Sequence, residues 1–347
     1  MQDYNFEEYL KKALSNSISS QNPSENAKRK ARKLSRSYYS DLKEELLIQY
    51  DKKSLKDVMD CKVSNTSFGD VLKITKKEKI DFTIEDNNFK EQMNRNLKLL
   101  PKIGLKTEQN LKNKGYATIE DLKAHDRYGD IADRFLKDID GMSFCEIIDI
   151  LEDNKYSKRC RDNILKSISM VEAENFKFMD IETKGLSNVP IILIGVAEIR
   201  GKNIIASQYF LRDYTEEANI IDAYLSHLDE DSVHVTFNGK TFDVPFIKNR
   251  CVYNRIQADL DLPHLDLMYF AKNLWADSLP NCQLQTIERE IFGIERQGDV
   301  PGQYIPGYYD TYLEENNIGP VVPIIEHNAQ DIISLASFLE KMYRDVN

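Results

Sequence analysis

The chain has 347 residues, 41% of them hydrophobic, and a net charge of −10, enough length to bury a full core and to form two or three domains of ordinary size. No stretch approaches the ~18 consecutive apolar residues of a membrane span, the first residues lack the basic-then-apolar layout of a signal peptide, and the five cysteines (Cys61, Cys145, Cys160, Cys251, Cys282) are scattered without a C-x-x-C pair, against a disulfide framework or a zinc finger. The expectation is a soluble, cytoplasmic protein with no membrane contact, and composition leaves its oligomeric state open. Residues 1–170 carry 33 Lys+Arg against 29 Asp+Glu and residues 171–347 carry 14 against 28. A polyanion would therefore be drawn to the first half and cations to the second.

Residues 1–88 open polar and loop-like over 15–24, then pass into a basic run holding Lys28, Arg29, Lys30, Arg32, Lys33 and Arg36. Leu42, Leu46, Leu47 and Tyr50 follow at helical spacing. Such a run reads either as a solvated helix face or as an arm that contacts phosphates, and the role of 1–88 is left open. A strand-like hairpin is expected between 68 and 82, and helical periodicity over 89–100. Next comes Leu100-Pro101-Lys102-Ile103-Gly104, and later Gly115, Thr118, Asp121 and Leu122 fall at intervals suited to two short helices and a third capped by Thr118. A tight turn at a helix N-terminus can face its amides toward a phosphate. The segment 89–170 resembles a helix-hairpin-helix module, with Lys102 where the first turn glycine usually stands. That resemblance implies nucleic-acid contact at Lys102 and Lys106; a packing module that binds nothing is the competing reading.

From 171 the texture changes. Strands are expected over 176–181, 191–199 and 204–211, the last two joined by a turn at Gly201-Lys202-Asn203. A helix over 215–228, a strand over 232–237 and a helix over 244–256 follow, which makes 171–347 an α/β domain with a mixed sheet flanked by helices, behind a mainly helical N-terminal region. Asp180 and Glu182 are one residue apart on the first of these strands, so both project from one face and can hold a divalent cation between them. Asp243 opens a helix just after a strand end, near the sheet edge where such folds bind ligands, although an N-cap explains it as well. His327 and Asp331 are four apart and share one face of a late helix. Four carboxylates in this order suit a two-metal site for Mg²⁺ or Mn²⁺ that hydrolyses a phosphodiester, with His327 as general base.

These residues resemble the DEDD 3′→5′ exonucleases of the ribonuclease H-like superfamily: Asp180-Ile-Glu182-Thr is similar to their first motif, Asn238-x-x-x-Phe242-Asp243 to the second and His327-x-x-x-Asp331 to the third. The similarity is closer to the YprB-type ribonuclease H-like domain, through His264-Leu-Asp266-Leu, Asn281 to Glu288-Arg289, Gly293-Ile-Glu-Arg, Asp299-Val-Pro-Gly302 and Glu326-His-Asn-x-x-Asp331, and it spans about 172–345. The resemblance implies removal of nucleotides from single-stranded 3′ ends of DNA or RNA, with Asp180, Glu182, Asp243 and Asp331 as ligands of two Mg²⁺ or Mn²⁺ ions. One departure stands out. In the histidine-type subgroup the base lies five before the last aspartate and in the tyrosine-type subgroup a tyrosine lies four before it; here a histidine occupies the tyrosine spacing and Glu326 the other. Thr183, Asn238, Lys240 and Phe242 are candidate nucleic-acid contacts, Phe242 by stacking or else as core. Asp266 is expected to brace the site or cap a helix, Tyr304, Tyr308, Tyr309 and Tyr312 to pack a loop or line a strand channel, and His227 and His234 to be structural. A binding protein without catalysis and an endonuclease of the same superfamily are the alternatives.

Overall fold

The computed structural model describes residues 25–86, 88–153, 157–296 and 298–347, so the polar stretch 15–24 lies outside the described residues. Among these residues a seven-stranded sheet runs in the order β1-β2-β5-β4-β3-β6-β7. Its strands are β1 (Cys61–Thr66), β2 (Gly69–Lys79), β3 (Phe176–Thr183), β4 (Ile191–Arg200), β5 (Asn203–Phe210), β6 (Val233–Thr236) and β7 (His264–Asp266). β3 pairs antiparallel with β4 and parallel with β6, and β6 pairs parallel with β7. This is the mixed sheet expected from the element order. β4 is buried at every position but Arg200, which is why it reads as one apolar run rather than an alternation. Its hairpin with β5 turns at Gly201, φ +60°, a left-handed conformation that glycine takes without a Cβ clash.

The early hairpin departs from expectation in place and in partner. It forms over β1 and β2, starting before residue 68, and β2 pairs antiparallel with β5 from Leu72–Phe210 to Lys79–Asn203. The first 88 residues therefore supply the outer strands of the same sheet rather than standing apart from it. β1 has no fully buried position, so its hydrophobic signal is too weak to read.

The helices are α1 (Glu25–Gln49), α2 (Phe89–Asn94), α3 (Leu105–Asn113), α4 (Gly129–Gly141), α5 (Phe144–Asp153), α6 (Ser157–Ser167), α7 (Glu217–Leu225), α8 (Asp243–Asn254), α9 (Leu267–Leu274), α10 (Leu284–Ile287), α11 (Ile305–Glu315) and α12 (Val322–Val346). None of the described helices is long and apolar enough to cross a membrane. Thr118 and Asp121 do bond each other reciprocally, Asp121 N–H to Thr118 Oγ1 at 3.1 Å and Thr118 N–H to Asp121 Oδ2 at 2.8 Å. The element they cap is only a 3-10 turn, Asp121–Ala124, and the next helix begins at Gly129. Lys102 takes φ +67°, a conformation that costs a residue with a Cβ about 1 kcal/mol.

Two apolar cores flank the sheet. Phe176 and Phe178 of β3 belong to one, together with Phe89, Leu97 and Ile119 of the helical segment and Phe338 of α12. Met179 and Ile181 belong to the other, with Tyr39 of α1 and Tyr224 of α7. Asp180 and Glu182 have the parity of Phe176 and Phe178, so they leave β3 on the face that α12 covers.

Candidate functional site

The approach of α12 to the sheet is set by one missing side chain. Gly195 pairs with Asp180 across β4 and β3, and a Cβ at Gly195 would collide with the side-chain amide of Asn328. With only hydrogen there, fully buried Asn328 donates from Nδ2 to Asp180 Oδ2 at 2.9 Å and to Asp180 O at 3.1 Å. Its Oδ1 accepts from Gln208 Nε2 at 2.8 Å, which also donates to Ile325 O at 2.8 Å. This polar chain fixes the register of α12 against β3, and with it the position of His327 and Asp331, one residue before and three after Asn328.

Asp243 is the first residue of α8 but does not cap it: the cap position is Phe242, without a side-chain cap bond. Instead Asp243 Oδ1 accepts from Ile181 N–H at 3.1 Å, the amide between the two β3 acids. The turn that delivers it is braced by Asp266, which accepts from Asn238 N–H at 2.8 Å and Lys240 N–H at 3.1 Å, and from Met268 N–H at 3.2 Å as the cap of α9. Asn238 takes φ +71° in that turn. At Gly239 a Cβ would meet Thr236 Cβ at 2.6 Å.

The four acids and the histidine share one neighbourhood. His327 Nε2 lies 3.8 Å from Glu182 Oε1 and 3.4 Å from Asp331 Oδ2, and its Nδ1 meets Asp299 Oδ1 at 2.5 Å. Burial raises the pKa of Asp180 well above the ordinary carboxylate range, and the charges of Asp243, Asp331 and Glu182 raise it further. Glu182 is pushed up to about 8 by burial, with Asp331 and Asp243 adding to it and His327 opposing. Asp243 rises to about 7 through burial, against the amide of Ile181 that lowers it and Asp266 and Asp331 that raise it. For His327, burial favours the neutral ring, but Asp331, the bond to Asp299 and Glu182 outweigh it and lift the pKa to about 10. The imidazolium is thus a counter-charge of the cluster.

A second counter-charge comes from a residue that the sequence reading gave no role. Arg296 Nε and Nη2 meet the two oxygens of Glu288 at 2.6 and 2.8 Å, a fork geometry that fixes the guanidinium plane. Glu288 is fully buried at the start of a π-helical turn, Glu288–Phe292, and accepts from Ser334 of α12. From there Arg296 Nη2 reaches Asp331 Oδ1 at 2.5 Å and Nη1 lies 3.2 Å from His327 Nδ1. The contact with Asp331 is one of charge rather than a directed hydrogen bond, for Asp331 Oδ1 is buried with no hydrogen-bond partner. Since His327 Nδ1–H is taken by Asp299, the approach of Arg296 to that nitrogen is likewise not a donated bond. Asp299, like Arg296, lies in a loop without periodicity; the Gly293-Ile-Glu-Arg and Asp299-Val-Pro-Gly segments were visible, but their contacts are tertiary.

The donor set suits a hard divalent cation: carboxylate oxygens, an orphaned acceptor on Asp331, and charges that raise one another's pKa. As the side chains stand, no group of three His, Cys, Asp or Glu among the described residues is arranged to hold an ion, and Arg296 and His327 sit against Asp331 and Glu182 instead. The remaining candidates are dispersed. Thr183 Oγ1 donates to Gly185 O at 2.7 Å, Lys240 Nζ pairs with Glu152 of α5 at 2.7 Å, Asn238 Oδ1 accepts from Thr241 at 3.1 Å, and Phe242 packs on Phe246 with ring centroids 5.4 Å apart. Lys102 and Lys106 are exposed on the helical segment. Tyr308 and Tyr309 are buried, donating to Tyr39 O at 2.5 Å and Leu211 O at 2.9 Å. His227 bonds Tyr209 and Glu198, and buried His234 bonds Tyr224.

Residues 177–343 match the RNase_H_2 family of the RNase_H superfamily, so the sheet with α7–α12 is a ribonuclease H-like domain. The chain is also similar to the uncharacterized protein YprB of Bacillus subtilis (strain 168), 30% identical over 177 residues, which is 50% of this chain and 43% of that protein. The match thus spans less than half of the relative's length.

Proposed function

We propose that the protein is a divalent-cation-dependent nuclease that removes nucleotides from the 3′ end of single-stranded DNA or RNA. The observation that carries this reading is the convergence of Asp180, Glu182, Asp243 and Asp331 around His327, whose Nε2 lies 3.4 Å from Asp331 and 3.8 Å from Glu182. The ribonuclease H-like domain supports hydrolysis of a nucleic acid at the coarse level. Placing Asp180 and Glu182 on one strand, with a late histidine and aspartate on α12, favours attack at an end over internal cleavage, since the ribonuclease H arrangement takes its glutamate from a separate helix.

Asp180, Glu182, Asp243 and Asp331 would hold two Mg²⁺ or Mn²⁺ ions, which in such sites activate water and stabilise the leaving oxygen. The chain's own residues do the rest. Asn328 and the Ile181 amide hold Asp180 and Asp243 on opposite flanks of β3. Asp299 keeps His327 Nδ1 protonated and turns Nε2 toward the carboxylates, the orientation of a base that takes a proton at Nε2 from an attacking water. While the carboxylates lack other cations, His327 and Arg296 neutralise them; with that charge met by bound ions, His327 is released to act as base.

The test is a digestion of 5′-labelled single strands of matched DNA and RNA with Mg²⁺ and with Mn²⁺. A ladder shortening from the 3′ end is expected. Internal cuts would move the reading to an endonuclease, and a retarded complex with no cleavage would leave a binding protein.

A further inference from the structure

Helix α1 carries Arg29, Arg32, Lys33 and Arg36, all exposed. Their spacing is that of one helix face. No ion pair joins any of them to another described residue, whereas acidic partners occupy most other basic side chains of the sheet and helices. A solvated helix face would satisfy these facts, but where the helix is fixed does not follow from that reading. Its other side is docked on the ribonuclease H-like domain. Tyr39 is buried against Tyr304, ring centroids 4.6 Å apart, Ser35 Oγ bonds Tyr304 OH at 2.8 Å, Lys43 donates to Thr311 at 2.8 Å, and Asn317 donates to Leu47 O at 2.9 Å.

The stripe ends where a cleft begins. Tyr38 and Tyr39, within one turn of Arg36, line a cleft of about 250 Å³ together with Arg296 and Asp299. Arg296 and Asp299 also line a neighbouring cleft of about 450 Å³ that opens on His327. Cationic helix, aromatic junction and carboxylate site therefore lie along one continuous path. The site itself is built of acids, so a polyanion needs attraction supplied from beside it.

We infer that the exposed face of α1 is the track along which a single-stranded nucleic acid is held by its phosphates, with the strand passing Tyr38 and Tyr39 to reach the carboxylates. The inference rests on the proposed nuclease reading for its direction, though not for the existence of the surface. It assigns Arg29, Arg32, Lys33 and Arg36 to affinity and length dependence, not to the chemical step.

The experiment uses the full chain and a fluorescent oligothymidylate of about 30 nucleotides in EDTA, with binding read by anisotropy over a range of salt. Arg32→Glu with Arg36→Glu should weaken binding at least about tenfold at low salt and reduce the magnitude of the salt slope by about 1.4, two phosphate contacts at about 0.7 each. Arg32→Lys with Arg36→Lys should keep both. Hydrolysis of a p-nitrophenyl ester of a mononucleotide, too short to reach α1, should be the same in all forms. Unchanged affinity and slope in the reversed variant would overturn the track. Loss on anionic phosphatidylserine vesicles with none on the oligonucleotide would overturn it in favour of a lipid surface. If the wild type leaves the ester intact, the nuclease reading fails, while the anisotropy result still decides the surface.

Discussion

Gly195 and Asn328 are in contact across the interface of β4 and α12, and there is no room for a methyl group between them. Gly195→Ala should therefore push Asn328 off Asp180. Overpacking of this kind costs about 1–3 kcal/mol, and the freed Asn328 and Gln208 would add unsatisfied polar groups. Thermal unfolding should show a lowered Tm, with nuclease activity falling further than stability alone explains. A variant with wild-type Tm and rate would mean that α12 does not depend on this contact.

Asp243→Asn keeps an oxygen for the Ile181 amide and deletes a buried charge from a mutually repelling set. We expect hydrolysis to be abolished with folding intact and Tm equal to or above wild type, measured by end-labelled digestion and by calorimetry. Residual activity near the wild-type level would remove Asp243 from the site.

His327→Ala should slow hydrolysis by about 10²–10⁴, the range for loss of a general base. Asp299→Asn, which leaves the ring but weakens the hold on Nδ1, should give a smaller loss and alter the pH profile of kcat rather than KM. A normal profile in Asp299→Asn would assign the orientation of His327 to another group.

Arg296 presses its charge on Asp331 at 2.5 Å, the side chain that would also serve a metal ion. Removing that competitor with Arg296→Gln should tighten Mn²⁺ binding about tenfold, equivalent to about 1.4 kcal/mol, as read by titration calorimetry. Because Glu288 loses its buried partner in that variant, the combination with Glu288→Gln is the matched control. Weaker Mn²⁺ binding in both would instead make Arg296 a support for Asp331.

Glu198 gives a pH prediction away from the site. Burial raises its pKa, but the bonds from His227 and Lys177 outweigh burial and hold it down to about 2, against an ordinary 4.5. Its contribution is therefore complete above about pH 4.5 and is lost as pH falls toward 2. Glu198→Gln strands buried Lys177, whose Nζ stood 2.7 Å from the carboxylate, and should cost about 3–5 kcal/mol at neutral pH. Denaturant melts from pH 7 to pH 2 should show the gap between variant and wild type closing at the acid end.

The parts of this molecule that could be read early are those whose signal is local. β3, β4 and β5 announce themselves as apolar runs because they are buried on both sides, and the acids of β3 share a face by simple alternation. Asp243 was ambiguous because a cap and a site residue look alike in one dimension; only the bond to Ile181 separates them. Arg296 and Asp299 gave no periodic signal at all, since their importance lies in what α12 brings opposite them. Likewise the pairing of β2 with β5 joins residues some 130 apart in the chain, a relation that no window of sequence contains.

That last pairing bears on how the chain can be shortened. β5 lies inside the sheet only because β2 covers its outer side along eight paired residues, Leu72 to Lys79. A fragment beginning near residue 88 would turn an interior strand rich in isoleucine, alanine and aromatic side chains into a bare rim, with unpaired amides and carbonyls ready to template another copy. Such a fragment should precipitate or associate through that rim. The early hairpin is in this sense a guard against self-assembly, and it arrives in synthesis well before the strand it protects.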